Sequence, residues 1–201
     1  MSHGGEVVIP EFKLKYSDVF SLRNLYIMMH EMLLEEGWMG KDGDTEHRDA
    51  EILYSENVYQ KGVHRGGKEM WLWWRLEKFQ EGKYSGYFKN YLAIDIHCVY
   101  MQNIEVVQQG KKMNVQKGEI EMFFRPKIVL DWQQQWNHHW LLKHIKPIFE
   151  GRILHHEIDK REKELWRETY RIHAKLKQYL QLKTFTPVPE PFFQRQFGYE
   201  E

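Results

Sequence analysis

The sequence has 201 residues, of which 42% are hydrophobic and 29% are charged, a composition typical of globular proteins and not of disordered chains. Its 29 Lys and Arg balance 29 Asp and Glu. This argues against a dedicated nucleic-acid-binding protein, because such a protein gains much of its affinity from an excess of Lys and Arg that contact the backbone phosphates. No apolar stretch approaches the ~20 residues of a membrane span. The first ten residues lack the pattern of a signal peptide, so we expect a soluble, cytoplasmic protein.

The N-terminal part of the chain predicts a strand followed by a helix. Phe12, Leu14 and Tyr16 alternate as they would on one side of a strand. Ser17 or Asp18 can then cap a helix over about residues 18–36. Apolar residues in that range recur at the three- and four-residue spacing of one helical face. They are Leu22, Leu25, Tyr26, Met29, Met32 and Leu33.

Four candidate strands follow in series between residues 51 and 126. Short links that contain glycine separate them, which favours an antiparallel meander. The strongest candidate is the segment from Met70 to Phe79. In residues 87–108 the apolar positions alternate through a set that we expect on one side of its strand: Leu92, Ile94, Ile96, Cys98 and Tyr100.

The second half of the domain is predicted to be helical. A segment over residues 132–146 is interrupted by Pro147 and Gly151, and a long amphipathic helix follows over residues 152–182. The predicted fold class is therefore α+β. An antiparallel meander of four to five long strands carries an N-terminal helix and a long C-terminal helix packed on it, in one domain over residues 1–183.

Residues 184–201 differ in composition and are predicted to form an extended arm. Pro187, Pro189 and Pro191 alternate with other residues, which favours an extended chain and forbids a helix. Four aromatic residues follow: Phe192, Phe193, Phe197 and Tyr199. Three interpretations remain open: a frayed tail, an arm that docks on its own domain, and an arm that docks on a neighbouring subunit or partner.

The strand at residues 70–79 carries large apolar side chains on both of its faces. Leu72, Trp74 and Leu76 point one way, and the other side carries Trp71 and Trp73. A sheet with one solvated face would show polar residues there. The second face is therefore covered by the protein's own helices, by a partner or by a ligand.

Few residues form a pattern that points to catalysis or metal binding. Cys98, the only cysteine, lies on the apolar side of its strand and is predicted to be inert core. His155, Asp159 and Glu162 share one helical face and are weak candidates for metal ligands, but solvated surface residues fit them better. We expect no metal and no cofactor. No nucleophile–base motif and no phosphate-binding loop occurs, so an enzyme ranks last.

Two functional hypotheses follow from these patterns. The first is a non-catalytic structural or protein-interaction subunit that forms a homo-oligomer or joins a larger complex. Its contacts would come from the aromatic sheet surface and the arm, through Trp71, Trp73, Phe192, Phe193, Phe197 and Tyr199. The alternative is a domain that binds a small hydrophobic molecule in a cavity between sheet and helix. That cavity would be lined by Trp74, Tyr91 and Phe124.

Overall fold

A computed structural model of the chain describes residues 5–40, 50–80, 82, 84–108 and 111–181. The strands are β1 (Glu6–Val8), β2 (Phe12–Phe20), β3 (Glu51–Val58), β4 (Lys68–Phe79), β5 (Phe88–Gln108) and β6 (Lys111–Leu130). The helices are α1 (Leu22–Glu35), α2 (Gln135–His138), α3 (Leu142–Ile148) and α4 (His155–Tyr179). No helix of these described ranges is long and apolar enough to cross a membrane.

The six strands form one antiparallel sheet. β3, β4, β5 and β6 pair in sequence order, and β1 and β2 both pair with the outer side of β6. Pro10 separates β1 from β2, because proline has no N–H to donate to the ladder. Ile9 next to it still donates to the Pro126 carbonyl at 3.1 Å. The predicted α+β class, with a meander and two helices, is confirmed.

Both long helices lie on the same face of the sheet. Trp74, Ile94, Phe124 and Phe12 stand side by side on β4, β5, β6 and β2. Tyr26 of α1 meets Trp74 edge-on, while the His173 ring of α4 contacts Phe12 and Phe124. The core fills the space between these helices and the sheet. Its buried helical residues include Leu25, Met29, Leu33, Leu165, Ile172 and Leu176.

The junction between β2 and α1 differs from the sequence prediction. β2 continues to Phe20, because Ser17 to Phe20 pair with residues 116–119 of β6. The cap is therefore Ser21, whose side chain accepts a hydrogen bond from the Asn24 N–H at 3.3 Å. The local capping signals of Ser17 and Asp18 are overridden by strand pairing.

The alternation of β5 breaks at a bulge. The register with β6 shifts between Val99 and Gln102, and Tyr100 has a φ of 58°. Tyr100 therefore leaves the core face, contrary to the prediction, and Met101 takes its place at 3% exposure. The opposite residue is Gly118, where an added Cβ would lie 2.6 Å from the Met101 sulfur and 2.9 Å from the Val99 carbonyl oxygen. The bulge therefore depends on this glycine.

Residues 182–201 lie outside the described residues. The predicted boundary at residue 183 and the predicted arm, with Phe192, Phe193, Phe197 and Tyr199, therefore stay predictions.

Candidate functional site

The face of the sheet opposite α1 and α4 is the candidate site. We call it the open face and define it by Trp71, Trp73, Asp95, His97 and Phe123, which share one side of β4, β5 and β6. Asp95 is buried, whereas the other four side chains are partly exposed. Within the described part of the chain, these residues make their ring contacts and ion pairs with side chains of the same strand or of a neighbouring strand.

Stacked rings run along the centre of the open face. Trp71 and Trp73 are nearly parallel, with ring centroids 5.6 Å apart and an angle of 10°. Trp71 also stacks on His97 of the neighbouring strand at 3.8 Å. Glu69 holds His97 in place through Oε1, which lies 2.9 Å from Nε2. This hydrogen bond lowers the pKa of the Glu69 carboxyl below its usual value.

The charges of the open face are paired within the face. Asp95 has a side chain only 8% exposed and accepts from Arg75 at 2.6 Å. Arg125 on the other side also pairs with Asp95 and with Glu11. The buried carboxylate is thus held between two cations, as a charge with little solvent must be. The open face therefore needs no external ion to neutralise its centre.

The bulge extends the aromatic surface towards the turn at residues 59–67. Tyr100 stacks on His64 at 4.0 Å and on Tyr59 at 5.5 Å. The Tyr59 hydroxyl donates to Glu69 Oε2 at 3.2 Å, which connects this group to Glu69 and His97. The alternation of residues 87–108 places His97 on this face, but it assigns Tyr100 to the opposite face and says nothing about His64 or Tyr59.

The structure brings the two strand residues of the predicted interaction surface together. Trp71 and Trp73 lie side by side on the open face, and Leu53 of β3, paired with Trp73, is 57% exposed beside them. An apolar strip thus runs across β3 and β4.

The three residues predicted to line a ligand cavity do not share one surface. Trp74 and Phe124 are 1% and 0% exposed and lie in the core beneath the helices. Tyr91 is on the open side of β5, where the ammonium groups of Lys89 and Lys127 lie 5.2 and 5.7 Å from its ring centre. A common cavity lined by all three is not formed by this arrangement.

The three residues considered as metal ligands line one cleft, and Cys98 lies apart from them in the core. His155 Nε2 lies 3.6 Å from Asp159 Oδ2, and Glu162 lines the same cleft of about 600 Å³. Within the described ranges no group of three or more His, Cys, Asp and Glu side chains is placed to hold a metal ion. Cys98 is fully buried, and burial raises the pKa of its thiol to about 12, so the nucleophilic thiolate is not formed near neutral pH.

His173 gives the core a predicted dependence on pH. Burial, and secondly the charge of Lys177, lower the pKa of His173 below 6.5, although a hydrogen bond to the Lys13 backbone opposes them. Between the lowered value and 6.5 the unfolded chain binds more protons than the folded one. We therefore expect the free energy of unfolding to fall as the pH decreases through this window.

Urea unfolding between pH 5 and 7 measures this dependence. His173→Gln should flatten the slope, whereas the exposed His156→Gln on the same helix should leave it as in the original chain. An equal slope in the original chain and in the His173→Gln variant would contradict the assignment.

Comparison of the chain with protein-family models, with curated protein sequences and with solved structures finds no match in any of the three. The side chains of the open face are therefore the basis for a functional proposal.

Proposed function

We propose that this protein is a non-catalytic interaction subunit that self-associates by packing its open face on the open face of a second copy. The observation that carries the proposal is the parallel pair Trp71 and Trp73, partly exposed on a sheet face on which the described residues place no helix. Tryptophan is enriched in the cores of protein interfaces, because it combines a large apolar area with a polar N–H group.

The area of the face is sufficient for a stable dimer. β4 has 12 residues, which span ~40 Å at ~3.3 Å per residue. Neighbouring strands lie ~4.8 Å apart, so the sheet from β3 to β2 is ~20 Å wide. The product is ~800 Å² per copy, which is the area that each partner buries in a standard interface.

The charges of the open face suit a copy of itself. Lys15, Arg75 and Arg125 alternate with Glu11, Asp95 and Glu121 across the open face, and the whole chain has no net charge. A surface with both signs can oppose itself across a two-fold axis without a large like-charge penalty. A nucleic acid or a strongly acidic protein would find no excess of cations here.

The test is the mass of the double variant Trp71→Ala/Trp73→Ala in solution. We expect light scattering at micromolar concentration to give twice 24.6 kDa for the original chain and 24.6 kDa for the variant. Trp140→Ala is the matched control, because Trp140 is 74% exposed and lies outside the open face. It should leave the dimer intact. A monomeric original chain, or a dimeric double variant, would refute the proposal.

The predicted arm is tested separately. Under the proposal the arm aromatics add contacts to the dimer, so removal of residues 184–201 should weaken dimerisation without abolishing it. A truncated chain with an unchanged dissociation constant would remove the arm from the interface and leave the open face in it.

A further inference from the structure

A second cleft lies on the helix-covered face, at the end of the sheet near the bulge. It has a volume of about 580 Å³ and lies between the first half of α1 and the strands β3 to β6. Leu22, Tyr26 and Ile27 form its helical wall, while Met70, Leu72 and Met101 form its floor on the sheet. The volume is in the range of pockets that hold small organic molecules.

The cleft is held open by hydrogen bonds at two points of α1. At the start of the helix, the Leu22 N–H donates to Gln116 Oε1 at 3.1 Å. One turn later, the Tyr26 hydroxyl donates to Glu51 Oε2 at 3.0 Å. These bonds fix the helix to β6 and β3, so that α1 is held above the floor. The cleft is therefore part of the folded structure and does not require α1 to move.

The floor of the cleft is apolar and adaptable. Met70, Leu72 and Met101 are 8%, 6% and 3% exposed, so each presents only a small part of its side chain to the cleft. Methionine has three rotatable bonds and a polarisable sulfur, which lets it fit apolar groups of different shapes. Burial and the charge of Glu51 raise the pKa of Tyr26 to about 12, so its neutral phenol adds no negative charge to the wall.

The rim of the cleft favours an anion. Arg23 is exposed at the mouth, and among the described residues no carboxylate pairs with it. The acidic residue of the rim, Glu56, is occupied by Lys68 at 2.6 Å and by the Tyr54 hydroxyl. α1 has no acidic residue in its first turn, so the positive end of its dipole adds to the charge of Arg23.

We propose that this cleft binds an amphipathic monocarboxylate, with the carboxylate on the Arg23 guanidinium and the apolar tail against Met70, Leu72 and Met101. A guanidinium matches a carboxylate with two parallel N–H donors. An apolar tail of about ten carbons suits a pocket of this size. This site lies on the opposite side of the sheet from the open face, so it is independent of self-association.

Calorimetric titration of the full chain with decanoate, below its micellar concentration, tests the site. We expect saturable binding of one molecule per chain. Octanoate should bind about tenfold more weakly, since each buried methylene contributes about a three- to fourfold change in affinity. Decanol, which has the same tail without the charge, should also bind about tenfold more weakly, because it makes no charge-assisted hydrogen bond.

Two variants locate the binding. Arg23→Gln should weaken decanoate about tenfold and leave decanol unchanged, because only the carboxylate uses the guanidinium. Arg167→Gln is the matched control, since Arg167 is an exposed arginine on α4 away from the cleft.

NMR spectra of a chain with isotope-labelled methionine methyl groups locate the ligand directly. Decanoate should shift the signals of Met70 and Met101 and leave the signal of Met32, at the other end of α1, unchanged.

Several results would overturn the proposal. These are the absence of saturable decanoate binding, equal affinities for decanoate and decanol, and an unchanged affinity in Arg23→Gln. The monomeric variant Trp71→Ala/Trp73→Ala should bind decanoate like the original chain. The two proposals therefore fail independently of each other.

Discussion

Replacing Trp74 by alanine should lower the free energy of unfolding by about 3–5 kcal/mol, the range for truncation of a buried aromatic side chain. Trp74 is 1% exposed, and Tyr26 meets its ring edge-on with centroids 4.8 Å apart. Its Nε1–H donates to Glu51 Oε2 at 3.3 Å. The alanine variant would leave a cavity between α1 and the sheet, and Glu51 would lose one of the two donors that the described residues give it.

The same strand provides the control for this measurement. Trp71 lies three residues earlier and on the open face, where it is partly exposed. Trp71→Ala should lower the free energy of unfolding by about 1 kcal/mol, mainly through lost ring stacking on Trp73 and His97. Urea unfolding followed by circular dichroism measures both variants, at a concentration at which both are monomeric, because dimerisation adds its own stabilisation.

The difference in stability between Trp74→Ala and Trp71→Ala also decides whether Trp74 is a core residue or part of a ligand cavity. A side chain that lines an open cavity has fewer partners to lose, so its truncation would cost about 1–1.5 kcal/mol. A loss as small as that of Trp71→Ala would make Trp74 a candidate ligand contact again. A loss near 3 kcal/mol or above would exclude that role.

The core face of the sheet was predictable because alternation in a strand depends only on the backbone. Side chains two residues apart point the same way, so Leu72, Trp74 and Leu76 could be assigned to one face without any knowledge of the partners of β4. The same rule failed at Tyr100. There the face is reversed by a bulge opposite Gly118, and that contact exists only once β5 and β6 have paired.

The candidate sites were predictable in part. Trp71 and Trp73 follow from one strand, but the stack of Trp71 on His97 depends on the register between β4 and β5. The cleft under α1 depends on more distant contacts. Leu22 is anchored by Gln116, which is 94 residues away in the sequence. No local pattern encodes such a spacing, so the helical periodicity that predicted α1 could not show the space beneath it.

The ion pair of Glu77 and Lys89 is buried at one end of the open face. Glu77 Oε2 lies 2.5 Å from Lys89 Nζ, and their side chains are 8% and 6% exposed. The ammonium group also lies 4.8 and 4.7 Å from the ring centres of Phe79 and Trp132. Burial by itself lowers the pKa of Lys89, but hydrogen bonds to Glu77 and Tyr91 more than offset it, so the pKa is raised above 10.5.

Glu77→Ala should therefore lower the free energy of unfolding by about 3–5 kcal/mol, because it leaves an ammonium group buried without its carboxylate. The backbone of Glu77 is bonded to Met39 through both its N–H and its C=O at 2.8 Å, and these bonds do not depend on the side chain. The loss thus measures the uncompensated charge. The double variant Glu77→Leu/Lys89→Met should recover most of the stability, since an apolar pair of similar volume replaces a buried ion pair at little cost.

The dependence of stability on pH separates a buried charge from a simple cavity. In the original chain the pKa of Lys89 is raised, so its contribution to stability is lost as the pH rises above 10.5. In Glu77→Ala burial and the hydrogen bond to Tyr91 remain, and because burial is the largest single effect on this lysine, the pKa of Lys89 should fall below 10.5. The unfolded chain then binds more protons just below pH 10.5, and stability should rise with pH there. Urea unfolding from about pH 7 to about pH 10.5 measures whether the free energy of unfolding of Glu77→Ala rises or falls with pH. If Glu77→Ala lowers the free energy of unfolding by the same amount at every pH in this range, the variant has lost packing contacts and not a buried charge pair.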